Sequence, residues 1–145
     1  MNTTDYFVLC ETTTQDKKGR VSLINIFDSI GADELPVNPG KISVAFSFEI
    51  TPEKLSKPFD LTVEIDAPDG SNLFRAKGQV STNKNMQMPK EAAARIISAL
   101  DINSPTFKEF GEYKYRLKID DQVLNENCLR ILKNKSIKEV KAKGK

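Results

Sequence analysis

Residues 41–50 read Lys-Ile-Ser-Val-Ala-Phe-Ser-Phe-Glu-Ile. Ile42, Val44, Phe46, Phe48 and Ile50 fall at every second position, and Lys41, Ser43, Ala45, Ser47 and Glu49 fill the places between. A period of two puts the two sets on opposite faces of an extended chain, whereas a helix would scatter both around its circumference. The segment is therefore predicted to be a strand with one face in a core and the other in water. Its large apolar side chains then require a second layer to cover them.

The pattern recurs. Phe59, Leu61, Val63 and Ile65 alternate with Asp60, Thr62, Glu64 and Asp66, which places the acidic groups on a solvent face. Ala67-Pro68-Asp69-Gly70 follows; proline fixes one φ, Gly70 permits a positive one, and a strand over 72–80 is predicted to return as a hairpin. Tyr113, Tyr115, Leu117 and Ile119 alternate with Lys114, Arg116, Lys118 and Asp120, and Asp120-Asp121 is a short turn into a strand over 123–132. Residues 6–11 and 21–28 read as strands around a polar loop at 12–20, and the proline-bearing stretch 31–40 reads as a crossover connection.

Over residues 89–102 two periods compete. Ala93, Ile96, Ile97 and Leu100 have helical spacing, while Ala94, Ile96, Ser98, Leu100 and Ile102 alternate. The alternation predicts a strand over 94–102 after an irregular or single-turn helical start. About seven to eight short strands joined by Pro, Gly and Asp turns, with no βα alternation, predict an all-β chain folded as an antiparallel β-sandwich. Its 145 residues suit one domain, drawn as 1–132 with a flexible tail at 133–145.

The tail carries Lys133, Lys135, Lys138, Lys141, Lys143 and Lys145 against Glu139 alone, a net of +5. The whole chain has a net charge of +2, so residues 1–132 carry −3. Contact of Lys133 to Lys145 with nucleic acid or an anionic membrane is a weak possibility, because the lysines lack interleaved aromatics that stack on bases. Met1-Asn2-Thr3-Thr4-Asp5 has no basic stretch leading into an apolar core, and no apolar run approaches a bilayer-spanning length, so a soluble, cytoplasmic protein is expected. Cys10 and Cys128 lack the spacing of a zinc site. They read as small hydrophobes, or as a pair brought together if the first and last strands lie side by side.

Histidine is absent, which removes the usual general base, the Ser/His and Cys/His nucleophile pairs and the commonest metal ligand. The chain is not expected to be an enzyme, and neither a cofactor nor a metal is expected. The remaining oxygen donors worth following are Asp66 and Asp69 in one turn and Asp120 and Asp121 in another, weak candidates for a calcium site, since aspartate is also a favoured turn residue.

Glu109-x-Gly111-x-Tyr113 resembles the segment that opens the penultimate strand of immunoglobulin-like domains, where the tyrosine hydroxyl bonds back to the preceding corner. With Tyr115 two residues later and no Trp in the chain, an antibody-type domain is excluded. Together with Phe7-Val8-Leu9-Cys10, the run from Gly19 to Asp28, Phe107-x-x-x-Gly111-x-Tyr113 and Ile119-Asp120-Asp121, these residues resemble a bacterial family of small immunoglobulin-like β-sandwich proteins defined as a domain of unknown function. The resemblance spans most of residues 5–132 and implies structural roles for Tyr113, Gly111 and Gly70. It carries no catalytic residues. A noncatalytic binding or assembly module, with a protein partner or a second copy of itself, is the first reading. A carbohydrate- or small-ligand-binding sandwich using loop carboxylates, with or without calcium, is the alternative. A flat apolar patch favours the first, a concave pocket lined by aromatics and at least two converging acids the second.

Overall fold

A computed structural model of the chain describes residues 3–81 and 94–134. In order these form β1 (Thr3–Gln15), β2 (Val21–Phe27), β3 (Ser29–Ala32), β4 (Ile42–Ile50), α1 (Pro52–Leu55), β5 (Phe59–Asp66), β6 (Asn72–Val80), β7 (Ala94–Ile102), β8 (Gly111–Ile119) and β9 (Gln122–Lys133). Two sheets face each other, one of order β2-β1-β4-β7 and one of order β3-β9-β8-β5-β6. β4 and β7 are neighbours in the first sheet and β9, β8 and β5 in the second, the arrangement of strands B and E against G, F and C in immunoglobulin-like sandwiches.

The alternating apolar sets meet between the sheets. Phe7, Leu9, Val44, Phe48, Ile65, Phe107, Tyr113, Leu117, Leu129 and Ile131 are all buried there. The hairpins predicted over 59–80 and 113–132 are present as β5–β6 and β8–β9, and the contested segment is the strand β7 over 94–102, antiparallel to β4. The predicted start at 89–93 lies outside the described residues, as does the basic tail beyond Asn134.

Several expectations are corrected. Nine strands are described, and one pair is parallel: Ser29–Ala32 runs alongside Arg130–Lys133, so the second sheet is mixed. The chain leaves β2 at Asp28 and crosses directly into the other sheet, which turns the start of the expected 31–40 connection into a strand. The loop expected at 12–20 is shorter, because β1 continues to Gln15 and only Asp16–Arg20 turns, with the Asp16 carboxylate accepting from the amides of Lys18 and Arg20 at 2.9 Å. The four-residue helix α1 was not anticipated. Its signal is ordinary: Thr51 caps the Lys54 amide and Pro52 occupies the first turn.

Two solvent faces are not solvated. Ser43, Ala45 and Ser47 of β4 are as buried as their apolar neighbours. β4 is central in its sheet, and Thr13, Thr14, Gln15 and Val21 line one hollow with Ile97, Ser98 and Ala99, so the far end of the β1–β2 hairpin leans over this face. The two serine hydroxyls are satisfied by the carboxylates of Asp101 and Asp5 at 2.5 and 2.8 Å. Glu64 of β5, expected in water, is 7% exposed. Arg116, Lys118 and Arg75 from the flanking strands lie over it, with the Lys118 ammonium at 2.7 Å.

Candidate functional site

The four aspartates singled out in the sequence do not come together. Asp66 ends β5, while Asp120 sits beside the start of β5, donating its amide to the Asp60 carbonyl at 2.7 Å and accepting from the Asp60 amide at 3.0 Å. Six residues of extended strand separate Asp60 from Asp66, about 20 Å. Three of the four carboxylates are also already engaged. Asp66 accepts from Arg116 at 2.5 Å and from Asn72 at 3.1 Å. Asp69 accepts from the amide and hydroxyl of Ser71 at 2.9 and 2.6 Å, closing the turn at Gly70. Asp120 pairs with Lys54 at 2.5 Å, and Asp121 is an exposed member of the two-residue β8–β9 turn. Burial pushes the Asp66 carboxyl up, but the hydrogen bonds from Asn72 and Arg116 outweigh it and hold the group below the ordinary carboxylate range. Hydrogen bonds from Ser71 do the same for Asp69, and those from Lys54 and the Asp60 amide for Asp120. Among the described residues no group of three or more Cys, Asp or Glu side chains is placed to hold a metal ion.

The Tyr113 hydroxyl donates to the Glu109 carbonyl at 2.9 Å and accepts from the Glu109 amide at 3.2 Å, and the ring meets Phe107 edge-on at 5.1 Å. Gly70 has φ +90°, and Gly111 has φ +129° with Pro68 packed where a Cβ would lie.

A family model described as a family of unknown function (DUF6941) matches residues 5–132. The chain belongs to this family. For this DUF6941 chain no curated protein matches. A solved structure described as an immunoglobulin-like protein from Pseudomonas aeruginosa is similar at 12% identity, covering 90% of this chain and 96% of that one with a TM-score of 0.38. The immunoglobulin-like fold of the DUF6941 chain rests on its own strand order and on the Tyr113 corner.

The cysteines of the DUF6941 chain are both free thiols, in strands of different sheets rather than in neighbouring ones: Cys10 is buried in β1, Cys128 half-buried in β9. β1 and β9 meet instead across the sandwich, where Asn127 donates its side-chain amide to the Phe7 carbonyl at 2.6 Å. A groove of about 640 Å³ runs beside this contact, lined in part by Phe27, Asp28, Tyr115, Glu126 and Cys128. Three of its polar side chains are turned onto neighbours, Glu126 onto Arg116 at 2.5 Å, Cys128 onto Glu112 at 3.0 Å and Asn127 onto β1, and Asp28 and Arg130 line it as well.

Another concavity, on the opposite side of the sandwich, has a different character. β2 and β3, the edges on one side of the sandwich, are joined by a single residue, Asp28, which draws that side together. On the other side β6 and β7 are the edge strands, and between them lies a cleft of about 240 Å³ lined by Phe46, Leu61, Val63, Ala76 and Leu100 together with the backbone around Gly78 and Ser98. Its size is below that of a typical small-molecule pocket, ~300–1,000 Å³. An extended chain laid along β6 or β7 would meet backbone groups that have no strand partner among the described residues, together with an apolar slot. Alternation identified β7, and the turn at Pro68-Asp69-Gly70 identified β6 as a returning strand; that they are edges is a property of the sheet order.

Proposed function

We propose that this protein is a noncatalytic binding or assembly module that holds a protein partner along the open side of the sandwich, between β6 and β7. The observation that carries the reading is the coincidence of two strands without a further partner among the described residues and an apolar cleft between them. Strand addition supplies main-chain hydrogen bonds for affinity, and a slot beneath every second residue supplies selectivity. The absence of histidine and the dispersal of the four loop aspartates support a role in binding rather than in chemistry.

The test compares the wild-type chain with Ala76→Glu, which puts a charge into the cleft from β6, as baits in an extract of the native host. A partner held by wild type and lost by a variant that still melts cooperatively supports the reading. Equal retention of every captured protein by both baits sinks it.

A further inference from the structure

The four edge strands differ in what they offer to a copy of themselves. In an antiparallel pair related by a twofold axis, residues whose numbers sum to a constant lie opposite each other. β7 reads Ala94-Arg-Ile-Ile-Ser-Ala-Leu-Asp-Ile102. With the axis at Ser98, Arg95 falls opposite the partner's Asp101, Ile96 opposite Leu100, Ile97 opposite Ala99 and Ala94 opposite Ile102. Both charged residues meet an opposite charge and every apolar residue meets an apolar one. β6 does the reverse: an axis at Ala76 sets Arg75 against the partner's Lys77, like against like. β2 has no charged residue, and β3 is only four residues long.

The faces agree with the register. Arg95, Ile97, Ala99 and Asp101 pair with Glu49, Ser47, Ala45 and Ser43 of β4, so they share the outer face of the sheet. Ile96 and Leu100 face inward and are partly buried against the core, with Leu100 at the cleft. Among the described residues this edge is accessible: Ile97 is 48% exposed, and Ser98 and Ala99 are exposed as well, beside the end of the β1–β2 hairpin. The side chains of Arg95 and Asp101 are 48% and 53% exposed, the first beside Asp5 and the second beside Lys41. Joined across the axis, Lys41, Asp101, the partner's Arg95 and the partner's Asp5 form a row of alternating sign, once on each side of Ser98.

We infer that β7 pairs antiparallel with β7 of a second copy of this chain, centred on Ser98, and fuses the two four-stranded sheets into one of eight strands. This names the occupant of the β7 edge, and it rests on the proposal that the open side of the sandwich is where a partner binds.

The test uses two single variants and their mixture, read by sedimentation equilibrium, with melting curves to establish that each is folded. In Arg95→Asp the two symmetric contacts become acid against acid, and in Asp101→Arg they become base against base. Mixing the two variants restores an opposite-charge contact on both sides of the axis. The expected result is a dimeric wild type, each variant alone associating about tenfold more weakly or worse, and dimers reappearing in the equimolar mixture. A wild type that is monomeric at high concentration overturns the inference, and so does a dimer that both variants leave unchanged. Either result leaves the cleft reading to its own test with Ala76→Glu, which alters β6 and none of the β7 charges.

Discussion

The hydroxyl of Tyr113 is bonded to both backbone groups of Glu109, donating to its carbonyl and accepting from its amide. One side chain thereby fixes the corner through which the chain enters β8. The Tyr113 side chain is 1% exposed, whereas Glu109 is only partly buried.

Tyr113→Phe should destabilise the domain by about 1 kcal/mol, since the hydroxyl's bonds to both backbone groups of Glu109 are lost. Urea unfolding reads the effect as a lower midpoint with an unchanged slope. An unchanged midpoint would remove the corner from the list of features that hold this fold.

Gly111→Ala should cost more than Gly70→Ala. Both glycines occupy positive φ, but a Cβ on Gly111 would come within 3.2 Å of Pro68, whereas one on Gly70 would meet nothing within 4 Å. Backbone strain alone is worth about 1 kcal/mol or somewhat more, and the Pro68 contact adds to it. Equal losses in chemical denaturation would mean that Pro68 moves aside freely.

Acid should weaken the fold through Asp66. Its carboxyl titrates lower in the native state than in the unfolded chain, so the stability it contributes is fully present above the unfolded value near 3.9 and is lost as pH falls through the native one. Asp66→Asn removes the charge that Arg116 holds, so its cost in unfolding free energy should be larger at about pH 6 than in acid and should shrink as pH falls below about 3.9. A cost that does not depend on pH would assign the effect to packing.

Alkali should act through Tyr115. Burial, partly offset by hydrogen bonds from Asn127 and the Leu9 backbone, pushes its hydroxyl up to about 12. The unfolded chain ionises near 10, so this contribution is complete below pH 10 and is lost as pH rises toward 12. Absorbance at 295 nm should show a late phenolate step in the native protein, and Tyr115→Phe should abolish it. Persistence of that step in the variant would assign it to Tyr6 or Tyr113, whose hydroxyls burial also pushes up.

Truncation should distinguish two endpoints only two residues apart. Lys133 pairs with Ala32, and the Asn134 amide donates to the Ala32 carbonyl at 3.1 Å. Ending the chain after Asn134 should leave the melting temperature close to that of the full chain, whereas ending it after Leu132, the boundary read from the sequence, should lower it by several degrees by releasing the end of β3. Identical melting of the two truncations would show that this parallel pairing adds no stability.

Much of this architecture is legible along the chain because a period of two is a local property. The faces of β4, β5 and β8, the turns at Asp69-Gly70 and Asp120-Asp121, and the Tyr113 corner each depend on residues within a few positions of one another. What could not be read locally was which strands would lie side by side. β4 pairs with β7 across some fifty residues, and β3 lies parallel to β9 a hundred residues away. The pairing of β5 with β8 puts Arg116 and Lys118 over Glu64 and sends Asp66 and Asp120 to opposite ends of β5, and the sheet order divides Cys10 and Cys128 between two sheets. They also leave β6 and β7 as edges beside an apolar cleft. Alternation fixes which side of a strand is apolar, but exposure of an edge or a charge depends on what the rest of the chain lays beside it.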